Sequence, residues 1–275
     1  MPAGPNCDIF ISSLREISVK LPFHHAAPER PLQKPKPSVL PALQTAHLAA
    51  LYRAARVGGD FFDFELIQGR LLFLLIDIAG RRDEALDIAA SVQQAFHTKA
   101  GELFRGPALN EADALADLTV ILNRRVMEAA GGVRCAPAFL GSYDEDLGTL
   151  FYINAGHMPA LLKDEQGVQL LEANGLPLGL FSHATHDAQM TVLQEGAAVL
   201  VVSKGLIESR AGRREFGLDR LRESLRQFKF SSANELCSGV LTAVEEFTKN
   251  TPGQNDITTL ALMRHAAVAA ATVAK

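Results

Sequence analysis

The stretch LLFLLIDIAG, residues Leu71–Gly80, decides the fold class of this chain. Leu71–Ile78 is a continuous apolar run with the length of a buried strand. Its one acidic residue, Asp77, comes just before a turn at Ala79-Gly80. The run therefore predicts a buried strand with a carboxylate at its tip.

Strand and helix signals alternate in blocks on both sides of this run. Apolar residues recur at helical spacing over 86–103 and 115–126, and again over 218–228 and 236–247. Short turns join the strands between 136 and 171, which is typical of an antiparallel meander. The other predicted strands are Leu48–Ala55, Phe61–Ile67, Ala136–Tyr143, Thr149–Asn154, Ala160–Lys163, Val168–Leu171, Ala197–Val202 and Ile257–Met263.

Long helix pairs between blocks of hairpin strands favour antiparallel sheets over a parallel sheet. Each helix has one apolar stripe, which must be buried on a sheet face. The prediction is an α+β fold, an α-β-β-α sandwich of two antiparallel sheets flanked by helices. An open sheet with all helices on one side is the alternative.

Composition excludes several function classes. The 275 residues are 48% hydrophobic and carry a net charge of −4, so a core can form and no global basic field attracts nucleic acid. The cysteines Cys7, Cys135 and Cys237 form no CxxC pair, which is typical of reduced cysteines. No apolar run reaches the roughly 18 residues of a membrane helix, and no secretory signal is seen. We expect a cytoplasmic protein with no membrane partner.

Proline divides the chain into a leader, a domain and a tail. Eight of the 13 prolines precede residue 42, and proline fixes φ and removes a backbone donor. Residues 1–42 are therefore predicted to be a Pro-rich leader, partly extended, in which Cys7–Leu21 could form a strand or hairpin. A folded domain is expected at 43–264 and a flexible tail at 265–275.

Three acidic residues lie where a strand ends or meets a turn. Asp60 follows Gly58-Gly59, Asp77 ends the most apolar run, and Asp256 directly precedes the last strand. A carboxylate at a buried strand tip is unfavourable unless it is paired or binds a cation, and Mg²⁺ and Mn²⁺ prefer oxygen ligands. The alternative is that these residues are ordinary turn and cap aspartates.

Other motifs carry weaker signals. The chain contains no GxGxxG, Walker A or GxSxG pattern, which argues against dinucleotide, P-loop and serine-hydrolase chemistry. We interpret His183 and His186 as part of a solvated loop and His157 as structural. The arginines at 210, 213 and 214 indicate a solvated turn, with binding of a phosphate or an acidic partner as the alternative.

Taken in order, several segments resemble the SpoIIE branch of the metal-dependent PPM-type serine/threonine phosphatases. The resemblance covers about 43 to 264 and implies the sandwich fold with a two-metal site between the sheets. The matching segments are YRAARVGGDFFDF (Tyr52–Phe64), LLIDIAG (Leu74–Gly80), FYINAGHMPALL (Phe151–Leu162), GLPLGLF (Gly175–Phe181), VLVVSKGLIES (Val199–Ser209), REFGLDRL (Arg214–Leu221) and QNDITTLAL (Gln254–Leu262).

The resemblance also implies the chemistry and the roles of individual residues. One or two Mg²⁺ or Mn²⁺ ions orient and deprotonate a water that attacks a phosphoserine or phosphothreonine directly. Asp60 and Asp77 are the implied catalytic residues. Asp77 resembles the carboxylate that bridges both metals, and the Ile78 carbonyl resembles a ligand of the first metal. Asp60 resembles the acid that holds the metal-bound water, and Asp256 resembles a ligand of the second metal. The implied substrate is a phosphorylated regulatory protein, similar to an anti-sigma antagonist.

Three positions depart from the family pattern. Threonine-Asp-Gly is replaced by Ser203-Lys204-Gly205, an acid pair by Asn255-Asp256, and Gly-Lys-Gly by Gly80-Arg81-Arg82. Lys204 and Asn255 thus remove two expected carboxylates. An ammonium 4 Å from a divalent cation is repelled by roughly 8 kcal/mol at an effective dielectric near 20. Lys204 must then turn away, have a depressed pKa, or replace the metal by pairing with Asp77 and Asp256, which costs least.

These departures leave three hypotheses for function. The first is a SpoIIE-type phosphatase, for which Lys204 predicts weak or absent hydrolysis. The second is an inactive pseudophosphatase that acts as a regulatory binding module in a partner-switching pathway. The third is a structural module whose carboxylates are only caps.

Overall fold

The computed structural model of the chain describes residues 34–54, 59–106, 109–249, 253 and 255–265. Most of the predicted leader, including Cys7–Leu21, and nearly all of the predicted tail lie outside the described residues. The predicted boundaries of leader, domain and tail stay predictions.

Strands and helices follow one another in blocks, as the periodicity indicates. The strands are β1 (Ala46–Arg53), β2 (Asp60–Ile67), β3 (Arg70–Asp77), β4 (Ala138–Asp144), β5 (Thr149–Ala155), β6 (Ala160–Asp164), β7 (Gly167–Leu171), β8 (Gln189–Val192), β9 (Ala198–Val202), β10 (Arg210–Ala211), β11 (Arg214–Glu215) and β12 (Ile257–Arg264). The helices are α1 (Arg82–Leu103), α2 (Glu111–Ala130), α3 (Lys204–Ile207), α4 (Leu218–Gln227) and α5 (Ala233–Thr248). Among the described residues, no helix is both long enough and apolar enough to cross a membrane.

Two five-stranded antiparallel sheets form the centre of the molecule. One has the order β1-β12-β9-β6-β7 and the other β2-β3-β4-β5-β8, while β10 and β11 form a separate hairpin. One apolar cluster fills the space between the sheets, a second joins α1 and α2 to the β3-containing sheet, and a third joins α4 and α5 to the other. The predicted α+β class and α-β-β-α sandwich are therefore confirmed, and the open sheet is excluded.

The apolar run of β3 is buried on both of its faces. Successive side chains of a strand point to opposite faces, so residues 72, 74 and 76 belong to the cluster under α1 and α2. Residues 71, 73 and 75 belong to the cluster between the sheets. Opposite Phe73, a Cβ at Gly141 would lie 2.3 Å from the phenyl ring, so glycine is needed at this β4 position. β3 is an interior strand covered on both faces, which explains why residues 71–76 are all apolar.

Several short elements differ from the prediction. The first strand spans Ala46–Arg53, not Leu48–Ala55, and the elements β8, β10, β11 and α3 were not predicted. β8 is a four-residue edge strand whose side chains are largely exposed, and its polar–apolar alternation is too short to mark a strand. The arginines at 210, 213 and 214 are exposed in the β10–β11 hairpin, as expected for a solvated turn.

Candidate functional site

The strand ends bring the three predicted acidic residues to one cleft of about 200 Å³. Asp60 and Asp77 are register partners at the paired ends of β2 and β3, and Asp256 directly precedes β12. All six predicted site residues line this cleft, and their roles stay predictions. The lining consists of Gly59, Asp60, Asp77, Ile78, Ala79, Gly80, Lys204, Gly205, Glu208, Asn255 and Asp256.

Close backbone packing holds the cleft together at two glycines. The Ile78 amide donates to the Gly59 carbonyl at 2.9 Å, and a Cβ at Gly59 would lie 2.8 Å from the Ile78 oxygen. A Cβ at Gly205 would lie 2.0 Å from the Asp256 carbonyl oxygen. Both segments therefore require glycine, because a larger residue would push the strand ends apart.

Asp60 is a largely buried carboxyl surrounded by acids. The Thr258 hydroxyl donates to it at 2.6 Å. Burial raises the pKa of Asp60 to about 7, against the lowering effect of hydrogen bonds from Thr258 and Ser203, and Asp77 and Asp256 raise it further by repulsion. The carboxyl is thus half-protonated near neutral pH.

Asp256 is held by two hydrogen bonds to one of its oxygens. The Tyr52 hydroxyl donates to its Oδ2 at 2.6 Å, and the Gly59 amide donates to the same atom at 3.2 Å. Burial and the bond to Asp256 raise the pKa of Tyr52, because deprotonation would place two negative charges together. Tyr52 and Thr258 are site residues that sequence reasoning missed, although both lie inside the matched motifs.

The Asp77 carboxyl lies near one positive and one negative side chain of the α3 turn, Lys204 and Glu208. Burial raises the pKa of Asp77, Lys204 lowers it, and Glu208 and Asp256 raise it, with a net upward shift. The carboxyl therefore lies within electrostatic range of the lysine and of two other acids.

Lys204 turns toward Glu208 instead of spanning the acidic residues. Its Nζ lies 3.1 Å from Glu208 Oε1, and its side chain is 59% exposed. The hydrogen bond to Glu208 raises the pKa of Lys204, which excludes the alternative of a depressed pKa. The expected pairing with Asp77 and Asp256 is replaced by a pairing with Glu208, because an exposed ammonium four positions away on the same helical face reaches that carboxylate without losing water.

Glu208 is the acidic residue of the cleft that sequence reasoning overlooked. It caps the C-terminus of the one-turn helix α3, and its Oε2 accepts a hydrogen bond from Asn255 Nδ2 at 3.4 Å. The i, i+4 spacing of Lys204 and Glu208 is a signal that could have found it, once a helical turn after β9 is assumed.

The histidines lie apart from the cleft lining. His157 is buried, its backbone amide donates to Asn154 Oδ1 at 2.8 Å, and burial lowers the pKa of its ring to about 4. His183 is exposed, and His186 is buried and donates to the Leu176 carbonyl at 2.8 Å. His157 and His183 thus agree with the structural and loop interpretations, whereas the interpretation of His186 as solvated is wrong, because its ring is buried against the Leu176 carbonyl.

The donor set of the cleft fits a hard divalent cation. Its potential ligands are carboxylate oxygens and the Ile78 carbonyl, which are what Mg²⁺ and Mn²⁺ prefer. Within the described residues, no three His, Cys, Asp or Glu side chains are already arranged as a metal site. Thr258 donates to one oxygen of Asp60, and Tyr52 donates to one oxygen of Asp256.

Comparison with known proteins places this geometry in a family. The model of the family Stage II sporulation protein E (SpoIIE) matches residues 67–265 of this chain. Protein IcfG of Synechocystis is 24% identical over 251 residues, which are 83% of this chain and 39% of that protein. The chain thus spans about two fifths of this relative.

Three solved structures share the fold. The RsbU and RsbW domains of Rv1364c from Mycobacterium tuberculosis match with a TM-score of 0.68 and 26% identity, over 83% of this chain and 64% of that one. The PP2C phosphatase domain of SpoIIE from Bacillus subtilis matches with a TM-score of 0.65 and 15% identity, over 80% of this chain and 64% of that one. RsbX in complex with magnesium matches with a TM-score of 0.61 and 12% identity, over 82% of this chain and 98% of that one. The fold is that of PP2C-type serine/threonine phosphatases, and the chain belongs to the SpoIIE family.

Proposed function

We propose that this protein is a Mg²⁺- or Mn²⁺-dependent phosphatase that hydrolyses phosphoserine or phosphothreonine in a partner protein. One observation carries the proposal: Asp60, Asp77, Asp256 and the Ile78 carbonyl come from separate segments and line a single cleft. Three clustered carboxylates repel one another, and a divalent cation relieves that repulsion. Membership of the SpoIIE family supports the same reaction class.

The residues of the cleft divide the work between charge and proton transfer. A bound cation supplies Lewis-acid stabilisation of charge on the phosphoryl group and activates water. Asp77, Asp256 and the Ile78 carbonyl would supply the oxygens that hold the cation. The pKa of Asp60, which is raised to about 7 in the cation-free cleft, would fall beside a bound cation, so the ionised carboxylate would be suited to accept a proton from water in the cleft.

The proposed substrate is a phosphorylated regulatory protein similar to an anti-sigma antagonist. The Mycobacterium tuberculosis relative, which joins an RsbU and an RsbW domain, supports a partner of this kind. We propose that this dephosphorylation takes place in the cytoplasm, where the free thiols Cys135 and Cys237 would stay reduced.

Hydrolysis of p-nitrophenyl phosphate and of a phosphoserine protein in the presence of Mn²⁺ tests the proposal. Wild type is expected to show slow turnover that EDTA and Asp77→Asn both abolish. Glu215→Gln, which changes an exposed acid paired with Arg210 outside the cleft lining, is the control and is expected to keep the wild-type rate. A rate that Asp77→Asn leaves unchanged would contradict the proposal.

Lys204 and Asn255 favour a second candidate, a pseudophosphatase that binds a partner without turnover. The variants Lys204→Asp and Lys204→Asp/Asn255→Asp restore the family's carboxylates. If turnover is absent in wild type and emerges only in these variants, the second candidate is supported. If wild type already turns over and the restored acids add little, the first candidate stands.

A further inference from the structure

The two residues that replace family carboxylates converge on a third residue. Lys204 Nζ lies 3.1 Å from Oε1 of Glu208, and Asn255 Nδ2 donates to Oε2 of the same carboxylate at 3.4 Å. Each oxygen of Glu208 is therefore contacted by one of the departing positions. The three side chains form a single unit at the rim of the cleft.

Local backbone geometry brings this carboxylate to the cation-binding cleft. The Glu208 amide donates to the Lys204 carbonyl at 3.0 Å, which closes one helical turn and places residues 204 and 208 on the same face. Gly205 holds that turn against the Asp256 carbonyl, since even a Cβ would clash there. Glu208 lines the cleft together with Asp77 and Asp256.

We propose that Glu208 supplies the carboxylate that position 204 no longer provides, and that the Lys204 ammonium competes with a divalent cation for it. This inference rests on the proposed function, because it assumes a cation in the cleft. Side chains of a helix point toward its N-terminus, so the Glu208 carboxylate lies over the turn that begins at position 204, 3.1 Å from the Lys204 ammonium. The substitution at 204 is thus compensated within the same helical turn.

The ion pair is of a kind that a cation can displace. Lys204 and Glu208 have 59% and 36% of their side chains exposed, and exposed i, i+4 pairs contribute little stability. A divalent cation carries twice the charge of the ammonium and binds several oxygens of the cleft at once. Lys204 can swing into water, so it lowers cation affinity without abolishing it.

Mn²⁺ binding to the full chain, counted by titration calorimetry and electron paramagnetic resonance, tests this competition without any measurement of activity. Lys204→Met removes the competitor and is expected to tighten Mn²⁺ binding about tenfold, whereas Glu208→Gln removes the ligand and is expected to weaken it about tenfold or more. In the double variant the gain from Lys204→Met is expected to disappear. Glu215→Gln, whose carboxylate pairs with Arg210 away from the cleft lining, is expected to bind as wild type does.

The outcomes separate this inference from the proposed function. If Asp77→Asn abolishes Mn²⁺ binding but Glu208→Gln binds as wild type does, the assignment of Glu208 is overturned and the metal-dependent cleft stands. If wild type, Lys204→Met and Glu208→Gln all fail to bind millimolar Mn²⁺, both are overturned. If Lys204→Met weakens binding, the lysine is not a competitor and the inference fails. Circular dichroism of each variant confirms that it is folded.

Discussion

Two aspartates of strand β2, three residues apart, are buried in opposite electrostatic surroundings. Asp60 faces the cleft, where burial and the neighbouring acids Asp77 and Asp256 raise its pKa to about 7. Asp63 is only 2% exposed under α1. Burial raises its pKa too, but hydrogen bonds from His97, Gln93 and the Phe64 amide outweigh burial and leave the pKa below its usual value.

The contrast separates a structural carboxylate from a functional one. Gln93 Nε2 donates to Asp63 Oδ2 at 2.7 Å, His97 Nε2 contacts the same atom at 2.8 Å, and the Phe64 amide donates to Oδ1 at 2.9 Å. Asp63 thus has a cationic partner inside the protein. Asp60 has hydroxyl donors and two acids around it, which is the arrangement expected where a cation or a proton must come from outside.

Replacing Asp63 by asparagine is expected to give the larger effect on stability. The change keeps the shape of the side chain but removes a negative charge that holds the His97 ring. It also turns one carboxylate oxygen into an amide donor, which then faces the donors that surround Asp63. We expect the free energy of unfolding to fall by about 2–3 kcal/mol. Urea denaturation of the metal-free protein measures it. An unchanged midpoint would show that the network beneath α1 contributes nothing.

Replacing Asp60 by asparagine is expected to have the opposite sign. It removes a charge that Asp77 and Asp256 repel, while an amide oxygen can still accept from Thr258. We expect the metal-free protein to gain about 1 kcal/mol at pH 8, a gain of the size found when strained functional sites are relieved. The same urea denaturation measures it, and a loss similar to that of Asp63→Asn would erase the proposed difference between the two aspartates.

Sequence patterns predicted the cleft but could not predict this difference. The continuous run of β3 placed Asp77 at a buried strand tip, and antiparallel pairing brought Asp60 opposite to it. In GGDFFDF, however, both aspartates of β2 are followed by a phenylalanine, and neither has a charged residue next to it in the sequence. What distinguishes them is His97, which lies 34 positions after Asp63 and reaches it only because α1 packs on the sheet.

The sequence left three alternatives for Lys204 and could not decide among them for a similar physical reason. Placing its charge between Asp77 and Asp256 assumed that no other acid was available. The one-turn helix α3 is too short to leave a periodic signal, so the proximity of Glu208 emerged only in three dimensions. Exposure of the side chain then decided its partner, because a solvated pair avoids the desolvation of a buried one.

The smallest expected effect is a difference between the two aspartates in how stability depends on pH. The raised pKa of Asp60, about 7 against an ordinary 3.8, means that its contribution to stability is complete below pH 3.8 and is lost as the pH rises through 7. His97, with its pKa raised from 6.5 to about 9 chiefly by Asp63 and also by Glu65, contributes fully below pH 6.5 and loses its contribution as the pH rises through 9.

Each variant should therefore flatten a different part of the same pH curve. Unfolding free energies of the metal-free protein from pH 5 to pH 9 give that curve. Asp60→Asn is expected to remove the fall in unfolding free energy as the pH rises to 7 and to leave the fall toward pH 9. Asp63→Asn is expected to leave the fall toward pH 7 and to reduce the fall toward pH 9, because His97 then titrates nearer its ordinary pKa. If both variants changed the same interval, one coupled network would join the two aspartates, and the cleft would not be electrostatically separate from the packing beneath α1.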